Sequence, residues 1–328
     1  MISAAFCQWL VRHTLAFSVA ICCSLSPVLG AELSIAVART PLSLPIFVAE
    51  QQGFFDDEGL GVQLHPIKGG HLAMQAVLDG KADVGTTSDS VLMFNSFRRD
   101  DFVSLGYFVR SPTDLSIIAC NKTSLAPDAW QGKTIGVVKG SSSEYLMHIW
   151  LLRHGLDPQS VTFIDLQPDA MPDALAKHQV EVVSIWEPAA FAIRQQVADS
   201  TELPSSGLHT LTFHLISKRE TAKTRAGDMQ ALLRAIDQAE AFIRQHPQRA
   251  QIILRDSLEA EWAFIDRVWP RYDYQLGLDQ ALISSLENQA RWSIENGLTD
   301  LKQVPNYLHF IDSQPLRAVR SNAVTLIE

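Results

Sequence analysis

From Leu33 onward the chain alternates short β-type runs with stretches of helical spacing, and this alternation constrains its fold more than any other feature. LSIAVA (33–38) reads as a strand. LPIFVAEQQ carries Ile46 and Ala49 on one helical face and closes near Gly53. GVQLHPI is a strand, LAMQAVLDG a helix ending at Gly80, ADVGTT a strand and SVLMFNSF a helix. The strands FVSLGYFV and DLSIIAC follow. Parallel neighbours need a crossover long enough to hold a helix, so this order predicts an α/β protein whose mostly parallel sheet is flanked by helices.

The rhythm then restarts. KTIGVV is a strand, SEYLMHIWLLRHGL a helix, VTFIDL a strand, MPDALAKH a helix and VEVVSI a strand. AVLDGKADV (76–84) and ALAKHQVEV (174–182) share a helix end, a short turn, an acid and a strand, the mark of two related lobes. After the strand-like TLTFHLISKR the chain becomes helical. One tail helix places Leu232, Ile236, Ala239 and Ile243 on a single face, with Asp228 as expected N-cap and Pro247 beyond its end. Another places Leu282, Leu286, Ala290 and Ile294 together, with Asp279 as cap and Gly297 at its stop. The simplest layout is a first lobe (31–114 and 216–328) interrupted by a second (115–215). The chain crosses near 113–119 and 211–217, and the tail returns to cover the first lobe.

Residues 1–30 break this pattern. Arg12 and His13 precede TLAFSVAICCSLSPVLG, an apolar run too short and interrupted to span a bilayer comfortably, with small Gly30 beside a cleavage point. It is expected to be a secretory signal peptide that delivers the protein to the periplasm with no membrane insertion after processing. Cys22 and Cys23 do not make a lipoprotein signal, since Ile21 stands where such signals need a small residue. Loss of the leader leaves Cys120 alone, so no internal disulfide forms and stability must come from the core. Cys120 lies in an apolar run, where a buried, unreactive thiol is expected. With Arg12 set aside, 26 basic residues face 36 acidic ones, a net charge of −10 that disfavours nucleic acid as a partner.

In open α/β sheets ligands bind at the carboxyl ends of strands, against the N-termini of the following helices. Three segments fall there. VVKGSSSEYLM sets Gly140, Ser141, Ser142 and Ser143 at a helix start, where free N–H groups and hydroxyls hold an anionic group without a lysine. Capping explains one serine, with Glu144 completing a capping box, but not three. GTTSDS offers Thr86, Thr87, Ser88 and Asp89 at another helix start, again with simple capping as the plain alternative. SIWEP brings a ring, Trp186, and a carboxylate, Glu187, into a loop, with Pro188 expected to begin a helix; a Trp plugging the lobe would read the same way. Gly132-Lys133-Thr134 is no P-loop, because Pro127 stands where the motif needs glycine and a β-type run follows. HExxH, CxxC and GxSxG patterns are all missing, so neither a metal site, a cofactor nor a catalytic constellation is expected. His65 and His71 lie near the expected cleft, where a lone histidine is usually structural.

LPIFVAEQQGFFDDEGLGVQL, AVLDGKADVGTTSDS, GKTIGVVKGSSSEYLMHIWLLRHGLDPQSVTFIDLQP and VEVVSIWEP occur in an order that resembles the substrate-binding proteins of ABC transporters. The group is the one holding nitrate, taurine, aliphatic-sulfonate and thiamine-pyrimidine binders, and the resemblance spans most of 33–215. It implies a two-lobed periplasmic-binding-protein fold of type II, with two crossing strands, that closes on a small molecule by hinge motion. It also implies that Thr86, Thr87, Ser88, Gly140 to Ser143, Trp186 and Glu187 face the cleft, and it adds Ser43, Leu44 and Pro45 as a further cleft-lining loop. His178 departs from the pattern, standing where the family usually has glycine at a helix end. The function implied is capture of a small organic anion or zwitterion and delivery to an ABC permease at the inner membrane. Two alternatives stay open: an enzyme on the same scaffold acting on a pyrimidine or sulfinate-type substrate, and a receptor feeding a sensor.

Overall fold

The computed structural model describes residues 32–120 and 129–327, so the expected leader lies outside the described residues. Ten strands define the architecture: β1 (Leu33–Ala38), β2 (Val62–Ile67), β3 (Val84–Ser88), β4 (Phe102–Ser111), β5 (Leu115–Cys120), β6 (Thr134–Val137), β7 (Thr162–Asp165), β8 (Val182–Trp186), β9 (Ser200–Leu203) and β10 (Leu211–Lys218). They form two five-stranded sheets of order β2-β1-β3-β10-β4 and β7-β6-β8-β5-β9. In each sheet four strands point one way and the fourth in order runs against them, β10 in the first and β5 in the second. Those two reversed strands are the ones that follow a crossing between sheets. The sheets are therefore mixed, with a parallel core completed by one antiparallel strand each.

The chain leaves the first sheet between Ser111 and Leu115 and returns between Leu203 and Leu211. The return comes ahead of the expected 211–217, because β10 pairs along its length with β3 and β4. The pattern also passes over β9, four residues of which only Leu203 is buried.

Helices form where apolar residues recur at helical spacing. Leu44–Gln52 stops at Gly53, whose φ of 77° is the left-handed conformation a C-terminal turn requires. The tail helix Ala226–Gln245 buries Leu232, Ile236, Ala239 and Ile243 as expected and packs on Leu44–Gln52. Full burial of a leucine or isoleucine side chain stabilises by roughly 1.5–3 kcal/mol, so the stripe seats the tail firmly on the first sheet's side. Asp228 is not its cap. The helix begins at Ala226, and Asp228 sits in its first turn, accepting from Arg225 Nε at 2.6 Å. Pro247 starts the next helix, Pro247–Leu258, where its missing N–H costs nothing. In Gln280–Glu295, Leu282, Leu286 and Ala290 are buried against Asp89–Ser96 and Ile294 is half-buried. Asp279 caps it, accepting from the Leu282 N–H at 2.9 Å. Among the described residues no helix is long and apolar enough to cross a membrane.

Candidate ligand-binding cleft

A narrow cavity opens where strand ends of both sheets meet. Thr40, Leu42, Gly70, His71, Ser88, Val91, Leu211 and Phe213 line it from the first sheet's side, Ser141, Ser142 and Trp186 from the second, and Asp114 from the first crossing. About 30 Å³ of it is swept by the centres of water-sized spheres, space for roughly two waters, so the walls must part to admit a small organic molecule.

The three serines have three different tasks. Ser141 is the N-cap of helix Ser142–Arg153; its Oγ accepts from the Ser143 N–H and donates to the Val138 carbonyl. Ser143 Oγ accepts from the Val138 N–H at 3.0 Å and donates to the Ser184 carbonyl at 2.6 Å, tying β6 to β8. Ser142 reaches across the cleft and donates to Ser88 Oγ at 2.7 Å. Ser88 caps helix Asp89–Ser96, so this bond joins two helix N-termini, where partial positive charge gathers. Gly140, at φ 68°, gives its N–H to Glu144 Oε2. Burial raises the Glu144 carboxyl above its usual range, the Gly140 N–H and Lys139 opposing.

Other expected residues are committed to the protein itself. Thr86 Oγ1 accepts from the Ala38 N–H at 2.9 Å, and Ser43 Oγ donates to the Ala38 carbonyl at 2.7 Å. Leu44 and Pro45 are buried in the first helix; in that segment Thr40 and Leu42 reach the cavity instead. Thr87 is buried, its Oγ1 has no hydrogen-bond partner, and it packs against Gly70, which lines the cavity while Thr87 does not. A Cβ at Gly70 would come within 3.0 Å of Thr87 Cα and 3.2 Å of its Oγ1, so this helix start approaches β3 only as glycine.

Neither expected carboxylate lines the cavity. Asp89 is buried against the tail, accepting from Gln289 Nε2 at 2.9 Å, with His209 Nε2 at 3.5 Å. Burial alone would raise its carboxyl, but His209, His214 and Gln289 outweigh that and hold it below the usual range. Glu187 is fully buried between Arg194 and Arg271 and also accepts from the Phe191 N–H at 2.8 Å. Two guanidiniums and a backbone donor satisfy it, and through Arg271, which also donates to the Thr113 carbonyl, it ties helix Ala189–Gln196 to the tail beside the first crossing. Trp186 does line the cavity, its ring 6.0 Å from that of His71.

Sequence spacing passes over Thr40 and Asp114. Asp114 is 1% exposed; Tyr272 donates to its Oδ1 at 2.7 Å, while Oδ2 has no partner. Burial first, and Glu187 secondarily, push its carboxyl up to about 7 against the Tyr272 hydrogen bond and Arg271. Thr40 Oγ1 is likewise buried and unpartnered. The sequence offers only one pointer to this part of the cleft, the Gly69-Gly70 pair between a strand and a helix. Cys120 sits away from the cleft, its Sγ 3.4 Å from His178 Nδ1; burial, with Asp199, raises its thiol.

Two α/β sheets linked by paired crossings, with hydroxyls and helix N-termini of both converging on one cavity, constitute a periplasmic-binding-protein fold. Residues 40–250 match the NMT1/THI5-like family, and the chain belongs to it. It is 23% identical over 226 residues to a binding protein of Brucella abortus strain 2308, covering 67% of this chain and 69% of that one. It is 21% identical over 239 residues to the taurine-binding periplasmic protein of Escherichia coli K12, covering 71% and 67%. The alkanesulfonate-binding protein SsuA of Xanthomonas axonopodis pv. citri, solved with MOPS, superposes with a TM-score of 0.75 at 20% identity, over 87% of this chain and 99% of that one.

Proposed function

We propose that this protein is the extracytoplasmic solute-binding component of an ABC importer. It captures a small organic anion or zwitterion of the sulfonate, taurine or nitrate type between two lobes and hands it to a permease at the inner membrane. The first lobe is built on β1–β4 and β10, the second on β5–β9. The observation that carries the reading is the bond between Ser142 and Ser88, 2.7 Å long, which brings two capped helix N-termini from opposite sheets onto one cavity. An anionic group placed there meets N–H dipoles and hydroxyls from both sides, and closure removes the water that would weaken each contact. The relatives named for taurine and alkanesulfonates support that ligand class. An enzymatic use of Cys120 is disfavoured, because a thiol raised by burial is a poor nucleophile.

A thermal-shift screen of the leader-free protein tests this with alkanesulfonates, taurine, nitrate, carboxylates and pyrimidines. A ligand at a hundred times its Kd stabilises the folded state by about 2.7 kcal/mol, so a receptor gives a clear rise in Tm with one class and leaves that compound chemically unchanged. Turnover of the compound would replace the receptor reading with an enzymatic one.

A further inference from the structure

We propose that the cleft recognises an N–H donor on its ligand, an ammonium or an amino group, through the free Oδ2 of Asp114. The inference rests on the receptor reading and narrows it: of the anion and zwitterion classes, it selects solutes that also carry an amine.

Asp114 lies at the first crossing and faces the cavity. Tyr272 holds one carboxylate oxygen at 2.7 Å, which fixes the plane of the group and leaves the other buried oxygen unpartnered. A buried acceptor without a donor costs free energy unless a ligand supplies the donor. The surroundings set the charge of that donor. Neither lysine nor arginine lines the cavity, and Arg271, the nearest cation acting on Asp114, is bonded to Glu187 and the Thr113 carbonyl. A second anionic group placed beside Asp114 would be repelled, whereas an ammonium would compensate the carboxylate and an amino group would satisfy Oδ2. The raised pKa agrees: the carboxyl lacks a compensating positive partner, and an ammonium would provide it. The serine side of the cavity suits the opposite end, since Ser141 and Ser142 stand at the N-terminus of a twelve-residue helix. Thr40 Oγ1, also unpartnered, adds a hydroxyl that can accept a second N–H.

Matched pairs differing by one amino group test the proposal by calorimetry on the leader-free protein: taurine with ethanesulfonate, β-alanine with propionate, and 4-aminopyrimidine with pyrimidine. At least one amino member should bind tenfold or more tighter than its partner. Asp114→Asn keeps an oxygen for Tyr272 but turns an NH2 toward the ligand, and should abolish that preference, a cooperative urea transition showing that the variant is folded. Thr40→Val, which alters shape little, should lower binding of the amino member by a smaller factor. Equal or tighter binding of the des-amino members, or a preference that survives in Asp114→Asn, overturns the inference and leaves the receptor reading standing. If none of the six compounds binds, the receptor reading for this solute class fails and the inference falls with it.

Discussion

The two sheets are copies of one plan, with β6, β7, β8, β9 and β5 in the places of β1, β2, β3, β4 and β10. The likeness reaches single atoms. Ahead of each central strand an acid clamps its neighbour: Asp83 Oδ2 accepts from the Ser34 N–H at 2.9 Å, and Glu181 Oε2 from the Thr134 N–H at 3.0 Å. The return bonds match as well, Asp83 N–H to the Ser34 carbonyl at 3.0 Å and Glu181 N–H to the Thr134 carbonyl at 2.9 Å. Beyond the central strands the halves diverge. Each places a buried carboxylate near the start of the next helix, Asp89 or Glu187, but Asp89 is met by an amide and a histidine and Glu187 by two arginines. Both halves keep an acid at this place, but its partners differ in origin as well as kind: Gln289 and Arg271 come from the tail, His209 from the second crossing and Arg194 from the helix Ala189–Gln196.

Removing those acids should separate the halves most sharply. Glu187→Ala strands two mostly buried guanidiniums and is expected to cost about 3–5 kcal/mol. Asp89→Ala leaves Gln289 and His209 without their acceptor and should cost about 1–3 kcal/mol. Urea unfolding measures both, and equal losses would show that the different partners carry no energetic distinction.

A second test uses one buried histidine from each half. His148, stacked on Phe163 with rings 4.3 Å apart, is pushed down to about 4 by burial. His214, bonded to Ser104 Oγ at 2.9 Å and Thr212 Oγ1 at 2.8 Å, is also pushed down to about 4 by burial, with Asp89 and Asp279 opposing. Both stay neutral in the fold while the unfolded chain takes up protons below about 6.5. Their contribution is therefore intact above that pH and is lost as pH falls toward 4, about 3 kcal/mol for each. Between pH 7 and 4.5 the urea midpoint of His148→Phe should fall less than that of the parent, while the buried Asp114 carboxyl, raised to about 7, works the opposite way in both. An unchanged slope in that variant would assign the loss to the first half alone.

The smallest effect concerns the matching helix ends. Gly80 and His178 both have positive φ, 74° and 53°. His178→Gly should stabilise by about 1 kcal/mol and Gly80→Ala destabilise by a similar amount, because only glycine adopts this conformation without a Cβ clash. Chemical denaturation reads both. A destabilised His178→Gly would mean that its contact with Cys120 Sγ outweighs the backbone strain.

Much of this was legible in the chain. Strands β1 to β8 and β10, the buried stripe of Ala226–Gln245 and the Asp279 cap all follow from neighbours within a few residues, because periodicity and capping act over one or two helical turns. The sequence places the serine loop at a helix start, but the separate tasks of its hydroxyls were not legible: Ser141 caps, Ser143 ties two strands and Ser142 reaches Ser88. The tasks of the other polar groups were not legible either. Asp89 and Glu187 look like ligand partners in sequence and are sealed by residues 200 and 84 positions away. Asp114 looks like the start of a strand, and becomes the free acceptor of the cleft because Tyr272, 158 positions on, covers one oxygen and leaves the other bare. Local spacing determines which elements form. Whether a buried polar atom is satisfied depends on what the crossings and the tail bring against it, and that was decided only in the tertiary structure.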